Sequence, residues 1–193
     1  NTFRGCENLE SIVIPDSVIT IENGAFRCCN ALKNVIIGNA VETIDKKAFW
    51  GCINLQNIVI SNSVKKIRDR SFYGCENLRK IKLGETVETI EKEAFAYCTN
   101  LEEITIPDSV ITLGKRAFKD CTNLKSVTIP DSVTSIGEDA FYCTALKDVH
   151  ISDVASWCEI SFESYHSNPL FYTKNLYLNG ELVTDLIIPE GVT

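Results

Sequence analysis

The sequence predicts a solenoid of short stacked repeats, rich in β-structure and built around a parallel sheet. Three observations carry this expectation. Phenylalanine recurs at Phe3, Phe26, Phe49, Phe72, Phe95, Phe118 and Phe141, always 23 residues apart. Cysteine follows three residues later at Cys6, Cys29, Cys52, Cys75, Cys98 and Cys121, and two residues later at Cys143, where the last copy is one residue short. Aliphatic columns keep the same step, from Leu9 to Leu146, from Ile12 to Val149 and from Ile14 to Ile151. A fixed period in this range means stacked units, none of which buries its apolar face alone.

Each element of one unit follows from local chemistry. Leu9-x-x-Ile12-x-Ile14 alternates at its end and reads as a short strand with its aliphatics inward. Pro15-Asp16 ends it, because proline gives no ladder donor and aspartate favours a turn. Val18-x-x-Ile21 returns as a second extended piece. Gly24-Ala25-Phe26 and its neighbours are too short for a long helix, so one helical or 3₁₀ turn is expected there. Asparagine precedes leucine at Asn8, Asn54, Asn77, Asn100 and Asn123, with Ala31 and Ala145 in the other copies. A stack of such side chains is placed to hydrogen-bond buried turn backbone.

The register divides the chain into residues 1–151, seven repeats of which the first is truncated, then 152–182, an irregular insertion, and 183–193, the start of a further truncated repeat. Trp157, Phe162, Tyr165 and Phe171 lie in the insertion, and Asn179-Gly180 after Leu176-Tyr177-Leu178 signals a hairpin turn. Both ends fall inside a unit without an obvious polar cap, so a segment of a longer protein is expected.

Composition excludes several functions. The net charge of −7 argues against broad binding to nucleic acid or an anionic membrane surface, both of which need a basic face. No apolar run approaches the length of a membrane span, so no membrane insertion by this segment is expected. The nine cysteines are odd in number and columnar. Column neighbours one strand spacing apart sit slightly beyond disulfide geometry, and the short clusters of a zinc site are absent. They read as small apolar fillers of a spine, with no cofactor or metal implied. Cys28, in the column of Gly5, Gly51 and Gly74, is expected to be more exposed.

Four candidate features remain outside the spine. A Cys158–His166 dyad would need a third, orienting group, and the sequence indicates none, so a structural role is the better reading of both. Lys65, Lys66, Arg68, Arg70, Arg79, Lys80 and Lys82 form a basic cluster that reads either as a contact for an acidic partner or glycan or, preferably, as a solvated face. Trp157, Tyr165, Phe171 and Tyr172 read as a ligand-binding lip or, preferably, as a local core sealing the broken register. The candidate binding surface is the outward strand column Val13, Ile36, Val59, Lys82, Thr105, Thr128 and His150, apolar at its N-terminal end and polar beyond. Simple β-propensity on an exposed face is its competing explanation.

The order Phe-x-x-Cys-x-Asn-Leu-x-x-Ile-x-Ile-Pro-Asp-Ser-Val-x-x-Ile, clearest from Ile104 to Val110 and from Val127 to Val133, resembles the BspA-like, or Treponema pallidum type, leucine-rich repeats. The stretch from Ile151 to Cys158, with Asn168-Pro169-Leu170 and Asn175 to Gly180, is similar to a variant segment found between repeat blocks in gut-bacterial members. The resemblance implies a leucine-rich-repeat solenoid: a right-handed superhelix, β-rich with short helical or 3₁₀ turns and a parallel sheet on its concave face. It also implies a non-enzymatic adhesion module of a surface or secreted protein, with host matrix proteins or other cells as partners; a glycan is the alternative partner class expected for this chain. The family has no fixed binding motif, so no site residue transfers from it. A structural spacer without a ligand, and an enzyme site in the insertion, are the competing readings.

Overall fold

The computed structural model describes residues 2–142 and 145–189. Among these, nine strands form one long sheet and seven form a second. The long sheet runs through Ser11–Ile14, Asn34–Ile37, Asn57–Val59, Lys80–Lys82, Glu103–Thr105, Ser126–Thr128 and Asp148–Ile151, then Asn175–Leu178 and Glu181–Leu182. All its neighbours pair in parallel except the last two strands, which close an antiparallel hairpin. The repeat sets the register: Ile12 faces Val35, Val35 faces Ile58, and Ile58 faces Ile81. The second sheet is made of two-residue strands from Thr20–Ile21 to Ser161–Phe162, the extended pieces expected after each Pro-Asp turn or its equivalent.

Between the sheets lies a single apolar core. The phenylalanines stack face to face from Phe3 to Phe141, with centroids 5.2–5.5 Å apart. Phe49, Phe72, Phe95, Phe118 and Phe141 are fully buried. The rings from Phe49 to Phe118 each have two ring neighbours and no water, an arrangement in which stacking adds to area burial.

The segment from Gly24 onward is a run of turns in every repeat. It keeps the i→i−3 bonds of a 3₁₀ turn at alternate residues, as in Ala25 N–H to Glu22 O and Arg27 N–H to Gly24 O. The residues between donate to the next repeat instead: Lys47 to Asp69 O, Phe49 to Ser71 O and Gly51 to Tyr73 O, each at 2.8–3.0 Å. The first and last of these positions are left-handed in every described copy. Lys47, Arg70, Glu93, Arg116 and Asp139 take φ of 53–57°, and Cys28, Tyr97 and Asp120 take 56–62° where other copies place glycine. A left-handed L-residue costs roughly 1 kcal/mol. The hydrogen bond that Cys28, Lys47, Arg70, Glu93, Tyr97, Arg116 and Asp120 each donate across the stack offsets that cost.

The asparagine column differs from expectation. Asn77, Asn100 and Asn123 each donate from Nδ2 to the Oδ1 of the preceding asparagine at 3.2–3.3 Å, and only Asn54 reaches backbone, at Asn30 O. The turn backbone has no need of them, because each leucine N–H is already held by the preceding cysteine carbonyl, as in Leu55 to Cys52 and Leu78 to Cys75.

Beyond Ile151 the fold continues both sheets. A one-turn-and-a-half helix, Val154–Cys158, is capped by Asp153, whose carboxylate accepts from Ser156 N–H at 2.7 Å. Ser161–Phe162 adds a strand to the second sheet, and Asn175–Leu178 adds one to the long sheet. Asn179 and Gly180 have φ of 52° and 86°, the paired positive values that a two-residue hairpin turn needs. Residues 183–189 form no strand and leave Leu186, Ile187 and Ile188 exposed. The rest of the expected further repeat, 190–193, lies outside the described residues, as does Cys143.

Phe72 has stacked rings on both sides, so Phe72→Ala opens a cavity that neighbouring repeats cannot fill. The expected cost is about 3–5 kcal/mol, read as a fall in the denaturant midpoint. An unchanged midpoint would show that the ring column does not hold the stack together.

Candidate functional site: the outer face of the long sheet

Strand geometry points alternate side chains to opposite faces. In Asn34–Ile37 the even-numbered residues are exposed and the odd-numbered ones buried, and the other strands follow the same phase. Val13, Ile36 and Val59 are 66%, 62% and 60% exposed and sit side by side in register. Lys82 pairs with Val59 and continues the column, and Thr105, Thr128 and His150 carry it onward. All seven residues named from the sequence thus occupy one line on one face, with His150 the most covered.

The line is longer than the sequence reading made it. His150 pairs in register with Tyr177, and the two rings stack 4.6 Å apart. The alternation in Leu176-Tyr177-Leu178 signals the strand, but the broken register assigned it to a hairpin and not to the next rung of the same column. A parallel outward column holds Asn34, Asn57, Lys80, Glu103, Ser126, Asp148 and Asn175. Within it Lys80 bonds Glu103 at 2.9 Å and Asn175 bonds Asp148 at 2.9 Å. Lys80, Lys82, Glu85, Glu103, Thr105 and Pro107 line a shallow depression of about 330 Å³. The face therefore grades from an uncovered aliphatic patch through a lysine-bearing dip to hydroxyls and a stacked aromatic end.

The other candidates separate. The basic cluster divides between faces, because its members stand at different phases of the 23-residue turn. Lys66 lies on the second sheet, Lys80 and Lys82 on the long sheet, and Arg70 on the turn segment, where Glu93 holds it at 2.6 Å. His166 lies 3.9 Å from Asp139 and its ring packs on Tyr165 and Phe171, while Cys158 is exposed at the end of its helix. The insertion aromatics split as well. Trp157, Phe162 and Tyr172 pack against the core, whereas Tyr165 and Phe171 stand out into solvent.

The described cysteines are free thiols, and those of the spine from Cys29 to Cys121 are buried. Each of these donates its S–H to the phenylalanine carbonyl 26 residues earlier, from Cys29 to Phe3 O at 2.9 Å through Cys121 to Phe95 O at 3.2 Å. The same carbonyl accepts the N–H of its own repeat's cysteine, as Phe26 does from Cys29. The thiol thus fills space and occupies the carbonyl's second lone pair. Burial pushes Cys52 and Cys98 up to about 12 from an ordinary 9.0. A raised thiol stabilises the fold in full below the unfolded value, and that contribution is lost as pH climbs from 9.0 toward 12.

Comparison with known proteins adds the following. The family described as the BspA-type leucine-rich-repeat region matches residues 1–104 and 65–179, in six copies. No curated protein sequence matches the chain. The T. pallidum leucine-rich repeat protein is 26% identical with a TM-score of 0.57, covering 79% of this chain and 73% of its own. A leucine-rich-repeat protein from Bacteroides ovatus is 25% identical with a TM-score of 0.52, covering 91% of this chain and 57% of its own. A leucine-rich cell surface protein from Faecalibacterium prausnitzii shares the fold at 23% identity and a TM-score of 0.50, over 84% of this chain and 65% of its own.

Because the thiolate is the reactive form, the spine cysteines should resist a thiol reagent in the native protein at neutral pH while Cys158 reacts. Denaturation without reductant should release all nine thiols. Recovery of fewer than half would contradict the carbonyl-bonded spine.

Proposed function

The chain belongs to the BspA-type leucine-rich-repeat family, and from that premise we propose that it is a non-catalytic binding module of a bacterial surface or secreted protein. Its long sheet presents the column from Val13 to Tyr177 to a protein partner, of the kind found in host matrix or on other cells. The observation that carries this reading is the uncovered aliphatic patch. Val13, Ile36 and Val59 are adjacent, rigidly held and exposed, where the inward residues Ile14, Val35, Ile37, Ile58 and Ile60 are buried and Ile12 is half-buried. Contiguous exposed apolar surface on a rigid scaffold favours association, since little ordering cost opposes it. A plain spacer gains nothing from such a patch and is better served by a polar face. The cell-surface description of the Faecalibacterium protein supports the location.

The insertion is the rival location for the site, and paired variants separate the two. Surface plasmon resonance over immobilised extracellular-matrix proteins should find a partner. Replacing Val13, Ile36 and Val59 with serine should weaken that binding at least tenfold, about 1.4 kcal/mol. Replacing Trp157 and Tyr165 with alanine should leave it intact. Normal binding by the folded strand variant, or no matrix protein bound at all, would refute the assignment.

A further inference from the structure

We propose a second binding surface, independent of the sheet face: an aromatic ridge on the turn side of the solenoid that binds an extended, uncharged glycan. The ridge starts at Trp50, which stacks on Tyr73 at 5.9 Å. Tyr73 meets Tyr97 at 5.0 Å, and Lys119 Nζ stands 5.8 Å from the ring centres of both Tyr97 and Tyr142. Tyr142 meets Tyr172 edge-on at 5.8 Å, and Tyr172 meets Phe171 at 5.1 Å. Tyr165, 5.3 Å from Phe171, ends the line. Tyr97 and Tyr142 are exposed, Phe171 is 55% exposed and Tyr165 69%.

The repeat does not require rings along this line, although Tyr172 also packs against the core. Trp50, Tyr73 and Tyr142 each follow a buried phenylalanine, and the same position holds Arg4, Arg27 and Lys119 in other copies. Ala96 holds that position in the fifth copy, so the rings are no requirement of the repeat, and Arg27 is seated 4.4 Å over Trp50. Tyr97 is tilted 50° from Tyr73, and Tyr172 stands at 89° to Tyr142, so the line offers ring faces as well as edges.

Two properties select the ligand class. Most charges beside the ridge are matched in pairs: Arg70 with Glu93 at 2.6 Å, Arg116 with Asp139 at 3.3 Å, Lys119 with Asp120 at 3.8 Å, and Lys115 with Glu138, while Arg27 is engaged by the Trp50 ring. Such pairs offer oriented donors and acceptors to hydroxyl groups and leave little free charge for an ionic partner. The second property is spacing. The solenoid advances 5.2–5.5 Å per repeat along the phenylalanine spine. One pyranose unit of an extended glycan has a length of that order. An extended peptide rises about 3.3 Å per residue, so its same-face side chains drift off the rungs. Apolar C–H faces of sugars against the rings, and hydroxyls against the paired charges, satisfy both properties together.

Isothermal titration with soluble β-linked glucose and mannose oligomers of increasing length tests this, with a uronic-acid oligomer as the acidic counterpart. Affinity for a neutral oligomer should rise with length and stay unchanged in high salt. It should fall at least tenfold in Tyr97→Ala and in the double variant Tyr165→Ala/Phe171→Ala. All three side chains are exposed, so the melting midpoint should hold. The serine variant of Val13, Ile36 and Val59 should bind the oligomer normally, which separates this site from the sheet face. Failure of every neutral oligomer to bind, equal binding by the ridge variants, or salt-sensitive binding confined to the uronic-acid oligomer would overturn the proposal.

Discussion

Each repeat buries a turn whose backbone it cannot satisfy alone. Three donors in the turn, such as those of Lys47, Phe49 and Gly51, find their acceptors only on the next repeat. A buried amide left unpaired costs on the order of 1–3 kcal/mol, so an isolated unit would carry several such penalties. Stacking removes them and buries the phenylalanine ring between two others in the same step. The carbonyls are treated the same way, with the cysteine thiol of the following repeat closing the phenylalanine oxygens from Phe3 to Phe95. The 23-residue period, the ring column, the thiol column and the left-handed positions all serve this one requirement.

A stack built in this way leaves the outward columns free. Once the inward positions are committed to the core, side chains on the outer sheet face and on the turn bear little on stability. They become surfaces that specialise repeat by repeat. The sheet face runs from aliphatic to lysine to aromatic, and the turn face runs from arginine through indole and phenol rings. Charge is arranged across repeats as well, with Arg70 facing Glu93 and Arg116 facing Asp139 one unit apart. Such pairs align neighbouring units without drawing the surface toward an ionic partner.

Much of this was legible in the sequence, and the illegible parts share a cause. A column of identical residues at a fixed step reports burial, so the core and the phase of each strand could be read directly. The left-handed turn positions could not, because Lys47, Arg70 and Glu93 are poor markers of positive φ and only Gly5, Gly24, Gly51 and Gly74 hint at it. Tyr177 was hidden by the register break, although hydrogen bonding restores it to the same column. The aromatic ridge crosses columns, stepping from Tyr73 to Tyr97 and from Tyr142 to Tyr172, so no periodicity reveals it. The long-range partner of a surface side chain is set by three-dimensional stacking, and a linear repeat shows only its own column.

Amide hydrogen exchange tests the central constraint most directly. If the turn donors are held across repeats, Phe49, Phe72, Phe95 and Phe118 should exchange as slowly as Ile60 and Ile129, whose amides donate to the next repeat at the ends of long-sheet strands, through cooperative opening of the stack. Turn amides that exchange orders of magnitude faster than these sheet amides would show that the turns open on their own. The account of a stack bonded repeat to repeat through its turns would then be wrong.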